Sequence, residues 1–127
     1  MRFDVLGAAS AAIAVAAGAF GAHALRDRLE PSLLATFETG ARYQFLHALA
    51  MILVALANDR RPARGFPVAG TLFAVGTVLF SGSLYALAFT GVRAWGAVTP
   101  FGGLCFITGW LVFAVASARG GVGRTST

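Results

Sequence analysis

Polar and apolar positions divide the chain into four long charge-free runs, Val5 to Leu25, Tyr43 to Asn58, Phe66 to Val92 and Ala94 to Ala118. A helix needs about 20 predominantly apolar residues to cross the hydrocarbon of a bilayer. The first, third and fourth runs have that length as they stand. The second acquires it from an amphipathic lead-in, because Pro31 suits the first turn of a helix and Leu33, Leu34, Phe37 and Ala41 recur at helical spacing. That helix stops at the polar cluster Asn58-Asp59-Arg60-Arg61-Pro62. The pattern therefore predicts membrane helices over about 4–25, 31–57, 66–91 and 95–118. None of the runs alternates with period two, which excludes a transmembrane barrel.

The predicted connections are short, the third being little more than Gly91-Val92-Arg93. Consecutive helices must then be antiparallel neighbours, so the expected fold is all-α, an integral membrane four-helix up-down bundle. It forms one domain over 1–118, followed by a flexible cytoplasmic tail over 119–127 rich in Gly, Arg, Ser and Thr. In the first helix Gly7, Ala11, Ala14, Gly18 and Ala22 make a small-residue ridge at three- and four-residue steps, which lets two backbones approach. Gly18, Gly21, Gly82, Gly102 and Gly103 are the expected packing positions. Pro100, in "TPFGGL", predicts a kink or a short half-helix at the start of the fourth span.

Composition agrees with this picture. Hydrophobic residues make up 57% and charged residues only 12%, against about 25% charged in soluble domains. The formal charge of +5 does not point to nucleic acid, because all ten basic residues are Arg and they flank the spans instead of forming a patch. Arg2, Arg60, Arg61, Arg64, Arg119 and Arg124 fall on one side of a four-span protein, and Arg26, Arg28, Arg42 and Arg93 on the other. The excess predicts both termini in the cytoplasm. The first run is longer than the hydrophobic stretch of a signal peptide and three more spans follow, so it is expected to be a retained helix. The lone Cys105 lies inside an apolar run and has no partner cysteine in the chain.

Candidate chemistry concentrates in "ETGARYQFLH". Glu38 and Arg42 stand four apart in the favourable order for an interfacial ion pair. Tyr43, Gln44 and His47 share one helix face, and His23, near the end of the first helix, falls toward the same membrane side. These four residues are a possible polar pocket. Such groups either bond across helices and fix the bundle, or bind a metal, haem, quinone or lipid headgroup. Two histidines fall short of the three or four ligands of a zinc site, so no metal or other cofactor is assigned. Ser81, Ser83 and Tyr85 surround Gly82 without forming a nucleophile elbow, and their hydroxyls are expected to bond to a preceding carbonyl or to a neighbouring helix. No paired carboxylates and no nucleophile–base set can be assembled. The reading is a non-catalytic membrane component whose partners are the bilayer and a second copy or a larger membrane complex.

The blocks "GAFGAHAL", "ARYQFLHALAM", "LFSGSLYALAFTG" and "WGAVTPFGGLCFITGW" run in order over nearly the whole chain. Together they resemble the small bacterial inner-membrane proteins grouped as domain of unknown function 423, or uncharacterised protein family 0382. The resemblance implies four membrane helices and a bacterial cell-membrane location. It implies no enzyme activity and no catalytic residues.

Overall fold

A computed structural model describes residues 1–122. It contains four long helices, α1 (Phe3–His23), α2 (Pro31–Arg60), α3 (Gly65–Thr90) and α4 (Thr99–Val122). All four spans are long and apolar enough to cross a membrane. At 1.5 Å per residue the 30 residues of α2 extend about 45 Å, well beyond the roughly 30 Å of hydrocarbon. Its amphipathic first turns and its last turn, to Arg60, therefore reach the headgroup level.

The fourth segment is divided. A short 3-10 helix, Arg93–Ala97, precedes α4. Pro100 has no N–H to bond back to Gly96, so an α-helical ladder cannot run unbroken from residue 95. Ahead of this break, Gly91 ends α3 in the left-handed region at φ 68°, and its N–H donates to the Leu87 carbonyl at 2.8 Å. A side chain is strained in that conformation, and glycine is not. At its far end α4 takes in residues 119–122. The remainder of the sequence-predicted tail, 123–127, lies outside the described residues.

The helices pack in chain order, α1 on α2, α2 on α3 and α3 on α4. Contact between α2 and α4 is lighter, so α2 and α3 form the centre and α1 and α4 the flanks. One core cluster joins Phe3, Met51, Val54, Phe66, Phe73, Phe106 and Ala116. It unites the start of α1, the end of α2, the start of α3 and the end of α4, as an up-down topology requires. At the opposite end Leu25, Phe37 and Ala88 form a smaller cluster, with Tyr85 packed against it.

Phenylalanine and glycine are both abundant because they are packed against each other. Phe3 sits on Gly70, Phe37 on Gly21, Phe73 on Gly109 and Phe106 on Gly76, each so close that an added Cβ would meet the ring at 2.6–2.9 Å. Lipid tails are as apolar as a side chain, so helices associate in a membrane through such close fits. The glycines expected to pack divide accordingly. Gly21 lies under Phe37, and Gly102 lies against the backbone of Phe80, leaving no room for a side chain. Gly103 has only ordinary contact with the Phe80 ring, and a Cβ at Gly18 or Gly82 would meet nothing within 4 Å. Gly18 and Gly82 are thus not contact points within the chain, because their helices turn them outward. The tight glycine of α1 is Gly7, where a Cβ would come 2.6 Å from the Ala48 carbonyl.

Candidate functional site

The polar residues of α2 are distributed by rotation about its axis. Three residues along a helix turn it by about 300°, so Gln44 and His47 share a broad face but look at different neighbours. Gln44 faces α1 and α3, and His47 faces α3 and α4. Both are buried, at 6% and 4% exposure.

Gln44 joins three helices. Its Nε2 donates to the Ser10 carbonyl at 3.2 Å and toward Ser10 Oγ at 3.3 Å, and its Oε1 accepts the Tyr85 hydroxyl at 2.6 Å. One turn earlier, Ser81 Oγ donates to the Gly40 carbonyl at 2.7 Å, a second bond between α2 and α3. Farther along α3, Ser83 Oγ and Thr99 Oγ1 lie 2.6 Å apart and join α3 to α4. Ser81 and Tyr85 therefore act across helices, whereas Ser83 takes both roles its sequence context allows, its Oγ also donating to the Phe80 carbonyl of its own helix at 2.9 Å.

His47 is held by a different set. Its Nδ1 lies 2.8 Å from the Tyr43 carbonyl, and Trp110 Nε1 donates to its Nε2 at 3.1 Å. A carbonyl can only accept and an indole N–H can only donate. The ring is therefore the neutral tautomer with its proton on Nδ1. Phe106 stacks on it with ring centroids 3.5 Å apart and planes within 7°, and Phe73 packs at 5.6 Å. A lateral groove of about 540 Å³ lies beside this stack, lined by Tyr43, Phe80, Phe106, Ile107 and Trp110. Tyr43 is 38% exposed there, its ring 4.7 Å from that of Phe80.

The expected four-residue pocket is thus not one site. Tyr43 contributes its backbone carbonyl to His47, Gln44 belongs to the Ser10–Tyr85 bridge, and His23 stands apart. The His23 side chain is exposed and makes no hydrogen bond to the described residues. The cause is the register of α1 on α2. Ser10 lies beside Gln44 and Gly21 beside Phe37, which places His23 thirteen residues, or about 20 Å of helix, from the Gln44 level. The expected Glu38–Arg42 ion pair does not form either, since the one ion pair among the described residues is Arg2–Asp4 at 2.7 Å. Both Glu38 and Arg42 are exposed on a shallow groove beside Gly18, where fixing two long side chains returns little.

Sequence reasoning missed Ser10, Phe106 and the bonding role of Trp110. Ser10 carried a usable signal, as the one hydroxyl in an otherwise Ala-, Gly- and Val-rich span that needs a partner inside the membrane. Phe106 carried none, being one of many phenylalanines. Among the described residues no group of three or more His, Cys, Asp or Glu side chains comes together to hold a metal ion.

Four membrane-length helices, cross-braced by interior hydrogen bonds, define a multi-pass integral membrane protein. The family model described as "Protein of unknown function (DUF423)" matches residues 17–103, and the chain belongs to that family. It is 44% identical over 117 residues to a UPF0382 membrane protein of Staphylococcus epidermidis, covering 92% of this chain and 95% of the relative. Identity is 42% over 118 residues to the UPF0382 membrane protein YwdK of Bacillus subtilis, covering 92% and 96%. It is 44% over 119 residues to the UPF0382 inner membrane protein YgdD of Escherichia coli, covering 93% and 91%. No solved structure matches the chain.

Proposed function

We propose that the protein is a non-catalytic packing or accessory component of the bacterial inner membrane. The observation that carries this reading is the closure of its interior polar groups. Every buried side-chain nitrogen or oxygen among the described residues has a hydrogen-bond partner within the chain. Both nitrogens of His47 are engaged, and a metal or haem iron could take one only by displacing Trp110 or the Tyr43 carbonyl. A group so committed stabilises the helix arrangement and has no lone pair to offer. Purified protein should be colourless above the aromatic absorption band and hold well under one metal ion per chain. A Soret band, or stoichiometric metal that survives dialysis, would overturn the reading.

Both termini belong in the cytoplasm on this proposal. Arg60, Arg61, Arg64 and Arg119 gather at the end of the bundle that carries Arg2, while Arg26, Arg28 and Arg93 lie at the other. Positive residues are retained on the cytoplasmic side. Topology reporters fused after Arg28, Arg61, Arg93 and Arg119 should read outside, inside, outside, inside. The reverse alternation would invert the orientation, and a non-alternating series would contradict the four spans.

Self-association is the second part of the proposal. A shallow groove beside Gly18, formed with Ala14, Val15, Ala41 and Phe45, stays open on the outer side of the α1–α2 pair, and a Cβ at Gly18 would meet nothing within 4 Å. A helix of a second copy fits there as Phe37 fits on Gly21.

A further inference from the structure

The end of the bundle that carries Met1 has two separate clefts with charged residues at them. In one, Arg2, Asp4, Asp59 and the chain's first residue lie together, and Arg2 is paired with Asp4. The other is a groove of about 450 Å³ between the start of α3 and the last turns of α4. Its walls are Leu111, Val112 and Val115, and at its rim stand Arg64 and Arg119. A third guanidinium is close, since Arg61 Nε lies 3.8 Å from where a Cβ on Gly120 would be. No side-chain carboxylate lines this groove. Of the chain's five acids, Asp4 and Asp59 belong to the first cleft, and Asp27, Glu30 and Glu38 lie toward the other end.

The groove combines a long apolar floor with a cationic rim. From Thr108 to Arg119 it follows α4 for eleven residues, about 16 Å, close to half of the roughly 30 Å hydrocarbon thickness. Its apolar walls thus run down one leaflet, and its guanidinium groups stand at the headgroup level. Arg binds phosphate through paired N–H donors, and basic pockets between membrane helices attract anionic headgroups. We propose that this groove is a binding site for an anionic phospholipid, with an acyl chain along Leu111, Val112 and Val115 and the phosphate between Arg64 and Arg119. A zwitterionic lipid brings the same phosphate together with an ammonium group, which the clustered arginines repel.

The test is a titration of the full-length protein in neutral detergent with phosphatidylglycerol and phosphatidylcholine of identical chains, read by native mass spectrometry. One phosphatidylglycerol should be held about tenfold more tightly than phosphatidylcholine, or better. Arg64→Gln with Arg119→Gln should bring the preference within about threefold. Arg28→Gln with Arg93→Gln, at the opposite end, should leave it unchanged. All four arginines are exposed, so these changes spare the core, and circular dichroism and size-exclusion profiles confirm the fold. Val115→Trp, which fills the groove from its exposed wall and keeps both charges, should also weaken phosphatidylglycerol retention. Equal retention of the two lipids by the wild type would overturn the site. So would an equal loss from the opposite-end pair, which would reduce the effect to overall charge. Displacement of phosphatidylglycerol by excess inorganic phosphate, with retention unaffected by Val115→Trp, would replace the lipid site with a free-anion site.

Discussion

Gly102→Leu should remove most of the folded protein from the membrane, whereas Gly82→Leu should leave its level and thermal stability close to wild type. A side chain at Gly102 would be driven into the backbone of Phe80, which cannot rotate away as a side chain can. Overpacking by a single methylene already costs about 1–3 kcal/mol, and a branched side chain against a neighbouring backbone should exceed about 3 kcal/mol. At Gly82 the new side chain faces open space and replaces a poor helix former, so the change should stay within about 0.5 kcal/mol of wild type. Melting of detergent-solubilised variants, followed by circular dichroism, gives the comparison directly. Equal effects at the two positions would mean that α3 and α4 do not meet at Gly102. Gly18→Leu belongs in the same series with a different readout. On the proposed self-association, it should leave the melting of the single chain unchanged and shift an oligomer seen for the wild type in detergent toward monomer. An unaltered oligomer would show that this groove faces lipid.

The three glycines also show what the sequence could and could not reveal. Four spans, their order and the short turns were legible, because a bilayer imposes length and apolarity that few other settings require. Helix rotation was not legible. Gly18, Gly82 and Gly102 all lie in small-residue contexts, yet only Gly102 faces a neighbouring backbone. Rotation is set by the joint fit of Phe3, Phe37, Phe73 and Phe106 onto glycines of other helices, and no spacing within one segment contains that information. Axial register was equally hidden. His23 and His47 look paired when the first hairpin is drawn from its turn, but the Ser10–Gln44 bond fixes a register that separates them. Nothing in the spacing of the fourth run marks Trp110, whose indole donates a hydrogen bond 63 residues back along the chain. The polar start of α2 has an explanation once its length is known. Pro31 to Gly40 spans the headgroup level, Gln44 and His47 are polar because they bond to neighbouring helices, and Glu38 and Arg42 remain at the surface.

His47→Ala should be the most damaging substitution among the interior polar residues, and Trp110→Phe should be much milder. The imidazole fills the space beneath Phe106 and accepts the Trp110 N–H, so its removal leaves a void and an unpaired indole proton together. Large-to-small core substitutions cost about 2–5 kcal/mol, much of it from the cavity, and that packing loss persists when lipid replaces water as solvent. Trp110→Phe removes one hydrogen bond and keeps an aromatic ring, and interhelical bonds of this kind average about 0.6 kcal/mol and reach about 1.7. Adding Trp110→Phe to His47→Ala should therefore cost less than the sum of the two, because the bond can be lost only once. Nitrogen-15 chemical shifts of labelled His47 provide an independent check, with a protonated Nδ1 and a bare Nε2 expected. A ring protonated on Nε2 instead would break the Trp110 assignment. A His47→Ala protein that melts like wild type would show that the stacked ring does not hold α2 to α4, and that this histidine is free to bind something else.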